Sequence, residues 1–110
     1  PEGYVEEFQE KLRYFNAQLD LITINPSRDS KEFGRLVNFM CAVAACYPNS
    51  SKDVPGQLMV LLEQHYDELL PSLRVTIVKG LIMLRRRDLL EPTTLLPLFF
   101  KLFRCKQKQL

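Results

Sequence analysis

The chain has 110 residues, enough for one domain with a single core, and its 46% hydrophobic and 25% charged residues place it among folded globular chains rather than disordered ones. No apolar run approaches the roughly 18 residues of a bilayer-crossing helix, so no membrane partner is expected. The net charge of +2 conceals a gradient: residues 1–73 hold 6 Lys+Arg against 11 Asp+Glu, and residues 74–110 hold 9 against 2. A basic C-terminal third of this kind suits nucleic acid or an acidic protein surface.

From Tyr4 to Ile22, the residues Val5, Phe8, Leu12, Phe15, Leu19 and Ile22 alternate spacings of three and four, which predicts a long amphipathic helix. The same spacing suits a coiled-coil seam, but such a seam needs three to four heptads and roughly two and a half are present, so core packing is the better reading. Glu6, Glu7 and Glu10 fall near its N-terminus, where carboxylates favour the helix dipole. Asn25-Pro26 breaks this helix, and the polar run to Ser30 is a loop. Asp29 with Glu32, or Ser30 alone, is placed to cap the next helix.

That second helix is predicted to run to about Tyr47, with Phe33, Leu36, Val37, Met40, Cys41 and Ala44 on its apolar side. The small residues Cys41, Ala42, Ala44, Ala45 and Cys46 make it narrow, which invites close neighbours. After a loop from Pro48 to Asp53, Val54-Pro55 opens a third helix that buries Leu58, Met59, Leu61 and Leu62 and ends at His65-Tyr66. A fourth runs from Pro71 to Leu90, with Leu73, Ile77, Leu81 and Leu84 stacked on one face and Arg74, Lys79 and Arg85 to Arg87 largely off it. Pro92 starts the last helix, apolar at Leu95, Phe99, Leu102 and Phe103 but also at Leu96, Leu98 and Phe100. A helix apolar on more than one face must be covered by a partner or by more of its own chain.

Nowhere does strand alternation compete. A shift of 40 positions lays Phe33, Val37, Cys41 and Ala44 over Leu73, Ile77, Leu81 and Leu84, and Leu58 and Leu62 over Leu98 and Leu102. Helical-pair repeats of about 40 to 47 residues are those of HEAT and armadillo solenoids. The expected fold class is therefore all-α, a HEAT/armadillo-like helical solenoid fragment of about five helices in one domain, residues 1–110. A start at Pro1 rather than methionine reads as a fragment of a longer chain. The odd count of three cysteines, with no hydrophobic leader before them, predicts reduced thiols in an intracellular protein.

Candidate chemistry is sparse. Cys41 and Cys46 lie five apart on one helix and point in different directions, so they cannot share a metal, and Cys105 has no ligand partner near it in sequence. The four glycines never cluster into a phosphate-binding loop. His65, Asp67 and Glu68 are the only conceivable catalytic set, and they would count as one only if they lined a common cleft. No cofactor, metal or small-molecule substrate is expected.

The basic residues remain. Arg85, Arg86 and Arg87 fall at a helix C-terminus, where the dipole favours cations; Lys101, Arg104, Lys106 and Lys108 follow on the last helix. These seven are the candidate contacts to RNA phosphate or to an acidic partner. If the last two helices pack antiparallel, the two groups lie at opposite ends and need not form one patch.

The segments YVEEF near the start, SKEFGRLVNFMCAVAACYP, and LLPSLRVTIVKGLIMLRRRDLLEPTTLLPLFFKLFRC at the end together resemble the N-terminal region of the Sda-one (severe depolymerization of actin) family of eukaryotic nucleolar factors. The most specific parts are LR-x-x-x-x-K-x-L-I-x-L-R from Leu73 to Arg85 and L-x-x-L-F-F-x-L-F-R-C from Leu95 to Cys105. The resemblance implies a HEAT/armadillo-like scaffold without enzyme activity, acting in the nucleus and nucleolus in assembly and export of the large ribosomal subunit. The implied partner is the pre-ribosomal particle, through ribosomal RNA and assembly factors. The rival readings are a protein-only adaptor whose basic groups meet an acidic peptide, and an enzyme built on His65, Asp67 and Glu68.

Overall fold

The computed structural model describes residues 5–108, with the side chains of 92, 94, 95 and 104–108 left aside. Among these residues there are five α-helices and no strand: α1 (Val5–Ile24), α2 (Lys31–Val43), α3 (Val54–His65), α4 (Pro71–Arg86) and α5 (Pro92–Lys108). Apolar periodicity built them as the spacing predicts. Phe8, Phe15 and Ile22 of α1 are buried, as are Phe33, Leu36, Val37, Met40 and Cys41 of α2 and Leu58, Leu61 and Leu62 of α3. Leu73, Ile77, Leu81 and Leu84 of α4 and Leu98 and Leu102 of α5 complete the core.

The helices stack in two layers: α2 packs on α4 and α3 on α5 within the layers, while α1 on α2 and α3 on α4 pack as the successive pairs between them. The side-chain bonds Gln9–Ser50 and Asn16–Gln57 each span 41 residues, and the ion pair Glu63–Lys101 spans 38. These three contacts tie α1 to α3 and its preceding loop, and α3 to α5, one repeat apart. Between α2 and α4, Gly34 lies near Leu73 and Thr76, Cys41 meets Gly80, and Arg87 just beyond α4 reaches Ala42, so these two run parallel. The result is a slab of 51 × 30 × 17 Å, thin along one axis as two layers of helices require. All twelve positions matched by the 40-residue shift are buried, which makes the offset a packing register.

Helix ends depart from the sequence reading. Ser30 stands at the N-cap of α2 but makes no side-chain cap bond, since its ψ of 51 is not the extended value that aims the hydroxyl at the first free amides. The α-helical part of α2 stops at Val43 and tightens into a 3-10 turn, Ala44–Cys46, rather than continuing to Tyr47. The hydroxyl of Ser51 donates to the carbonyls of Tyr47 and Ala44, at 2.7 and 3.3 Å, adding a second donor to the backbone amides of Ser51 and Tyr47 that already bond them. Of the small residues expected to let neighbours approach, Cys41 and Ala44 are buried while Ala42, Ala45 and Cys46 face out. Met59 is half-buried instead of buried, and Val5 and Phe103 are exposed.

The fourth helix ends at Arg86, four residues short of the predicted Leu90. Asp88 takes a left-handed φ of 61, the Leu89 amide donates to the Leu84 carbonyl at 2.9 Å, and the Asp88 amide donates to Arg85 at 3.0 Å. That pair of bonds is a Schellman C-cap. It folds Leu89 back beside Leu84, against the loop that holds Ser51 and the first turn of α3 at Pro55.

Candidate nucleic-acid interface

The seven candidate cations do not share one environment. Arg87, the C-cap residue of α4, sends its guanidinium across to the carbonyl of Ala42 in the last turn of α2. That carbonyl lies where an α-helix leaves acceptors unpaired and its dipole is negative, so Arg87 works as a clamp between the two helices. Lys101 of α5 forms an ion pair with Glu63 of α3, both side chains about half exposed. Arg85 and Arg86 are exposed and, among the described residues, have no side-chain partner. The side chains of Arg104, Lys106 and Lys108 lie outside the described residues.

Two further cations of the basic third matter. Arg74 packs its guanidinium 4.8 Å from the ring centre of Tyr66 and donates to the Leu69 carbonyl at 2.9 Å and the Asp67 carbonyl at 3.3 Å, pinning the α3–α4 turn. Lys79 is exposed and stands seven residues before Arg86, on the same outer stripe of α4. Sequence reasoning left Lys79 out of the set; the seven-residue spacing is the signal that finds it. The outward-facing cations of α4 are thus Lys79, Arg85 and Arg86, while Arg74 and Arg87 are spent on the fold.

His65, Asp67 and Glu68 do not line a common cleft. An open groove of about 570 Å³ runs between α1 and α3, lined by Leu19, Asp20, Gln57, Val60 and His65 among others. His65 lines it, but Asp67 and Glu68 do not, and His65 instead meets Glu68 at 3.4 Å outside it. Among the described residues no three His, Cys, Asp or Glu side chains come close enough to hold a metal ion. Burial pushes the Cys41 thiol up to about 11, with the Arg87 charge pulling the other way, so it is held as a neutral core filler. No helix among the described residues is long and apolar enough to cross a membrane.

Comparison with known proteins converges on this architecture. The family model described as SDA1, HEAT repeat, matches residues 39–110. A Protein SDA1 homolog from Nematostella vectensis is 42% identical over 106 residues, covering 96% of this chain and 15% of the relative. One from Xenopus tropicalis is 38% identical across 100% of the chain and 16% of its own length, and Protein sda1 of Schizosaccharomyces pombe is 32% identical over 94% of the chain and 14% of its length. The chain therefore spans about a sixth to a seventh of the relatives it matches. With a helical-pair register of some 40 residues, the HEAT-repeat model laid over its last three helices and relatives up to 42% identical along its length, the chain belongs to the SDA1 family.

Proposed function

We propose that this domain is a non-enzymatic scaffold in assembly and nuclear export of the large ribosomal subunit, working in the nucleus and nucleolus on pre-ribosomal particles. One observation supports an RNA-facing surface above the others: Lys79, Arg85 and Arg86 project from α4 with no side-chain partner among the described residues, at the basic end of a chain whose remainder is acidic. Cations presented this way on a rigid helix contact phosphate, which positions RNA without reading its sequence. Family membership supports the scaffold role, since a two-layer helical slab offers helix ends and ridges for docking.

The test is protein–RNA crosslinking and sequencing of the full-length protein in cells. Crosslinks to ribosomal RNA on residues 74–108 are expected. Crosslinks to RNA only outside residues 1–110 would sink direct RNA contact by this domain. They would favour the second reading, a protein-docking scaffold, which draws support from Arg74, Arg87 and Lys101 all being engaged within the fold.

A further inference from the structure

The slab is finished on one side and open on the other. In α4, the flank bearing Gly80 and Thr76 is covered by α2. The opposite flank carries Val75, which is 51% exposed, together with half-buried Val78 and Ile82. In α5, the side bearing Lys101 meets α3, and the opposite flank carries Leu96, Phe100 and Phe103, exposed by 55, 64 and 59%. At about 100° per residue, both open flanks are turned the same way from their buried faces.

The repeat register says what belongs there. Gly34 and Asn38 of α2 line the groove that α4 borders through Leu73 and Thr76. Forty positions on, the equivalents are Arg74 and Val78, and they line a shallow groove on α4 that nothing covers. On α5 an apolar groove of about 340 Å³ is open in the same way, between Leu96, Phe100 and Phe103. α4 is covered on one flank by α2 and α5 by α3, the helix two places before it in each case, so the bare flank of α4 calls for a sixth helix and that of α5 for a seventh. The relatives are six to seven times the length of this chain, long enough to supply both.

We infer that the occupant is the next helical pair of the same polypeptide, the segment that follows residue 110 in the full-length protein, seated on Val75, Val78 and Ile82 of α4 and on Leu96, Phe100 and Phe103 of α5. The flank chemistry favours such an occupant: the α5 groove is lined by apolar side chains throughout, and on α4 Val75 and Val78 lie between Arg74 and Lys79, so a repeat helix seated on them leaves the Lys79 ammonium in solvent at its rim, available to phosphate.

The experiment uses the purified full-length protein with a photoreactive benzoylphenylalanine replacing Phe100, and in a second variant Val75. Both positions are exposed, so the replacement does not disturb the core described above. Illumination followed by peptide mass spectrometry is expected to join each position to residues within roughly 50 of residue 110, one repeat on, while the same group replacing exposed Glu10 of α1, at the other end of the stack, gives no such link. Crosslinked dimers would overturn the inference in favour of a second copy. Crosslinks absent from the purified protein, but formed to another polypeptide in cell extract, would overturn it in favour of an external partner. The purified protein is treated with ribonuclease before illumination, so either failure leaves the ribosomal reading to be judged on its own test.

Discussion

Gly80 of α4 lies so close to Cys41 of α2 that a Cβ placed on Gly80 would fall 2.8 Å from the Cys41 sulfur and 3.3 Å from Cγ1 of Val37. The most extensive helix pairing in the molecule therefore passes through a point with room for a hydrogen and nothing more. Replacing Gly80 with alanine gains about 1 kcal/mol of helix propensity but overpacks a tight contact at a cost of about 1 to 3 kcal/mol. We expect Gly80→Ala to lose about 1 kcal/mol in urea denaturation, and Cys41→Ala to recover most of that loss when the two are combined. A Gly80→Ala variant more stable than the parent would show that α2 gives way freely. Gly34 supplies the contrast: its nearest neighbours would be 3.9 Å from a new Cβ, so Gly34→Ala should stabilise by about 0.5 to 1 kcal/mol.

Cys41 also gives the fold a pH dependence at the alkaline end. Burial raises its pKa to about 11 from the ordinary 9.0 that the unfolded chain keeps, Arg87 opposing. The folded state thus keeps a proton that the unfolded state gives up. Its contribution is complete below about pH 9 and is lost as pH rises to about 11, a loss on the order of 2 to 3 kcal/mol. Unfolding free energies at about pH 8 and about pH 10.5 should fall more for the parent than for Cys41→Ala. Equal slopes would mean that the thiol is not held neutral.

A leucine at the centre of α4 tests the inward face directly. Leu81 is fully buried, so Leu81→Ala should cost about 2 to 5 kcal/mol through lost transfer energy and an unfilled cavity. A negligible change in the urea midpoint would contradict the assigned core.

The Schellman turn at Asp88 makes a fourth prediction. A non-glycine residue at left-handed φ costs roughly 1 kcal/mol, and a carboxylate beside a helix C-terminus faces an unfavourable dipole. Asp88→Gly should raise stability by about 1 kcal/mol or more, and Asp88→Val should lower it by a similar amount, both read from thermal unfolding. If Asp88→Gly proved neutral, the left-handed turn would not be populated in solution.

These residues show where a sequence is transparent and where it is not. The five helices, and the inward faces of α2 and α4, follow from apolar spacing, because burial is periodic along a helix and needs only local information. Helix ends are harder: nothing in Arg87-Asp88-Leu89 marks a stop as a glycine would, since the left-handed turn is held by the docking of Leu89 beside Leu84. The interface is harder again. Lys101 and Arg87 look like free cations in sequence, and only the fold places Glu63 and the Ala42 carbonyl, 38 and 45 residues away, against them.

That sorting of cations yields the last prediction. Arg85 and Arg86 are exposed and tie no elements together among the described residues, whereas Arg87 clamps α4 to α2. Replacing Arg85 and Arg86 together with glutamine should leave stability within about 0.5 kcal/mol and flatten the salt dependence of RNA binding by up to roughly two units, evenly across RNA sequences. Arg87→Gln should do the opposite, costing about 0.5 to 1.5 kcal/mol of stability for the lost carbonyl bond with a smaller change in slope. Filter-binding titrations across a range of salt, paired with urea melts, separate the two roles. An unchanged slope in the Arg85 and Arg86 double variant would mean that these arginines are solvated and that the phosphate-contacting surface of the domain lies elsewhere.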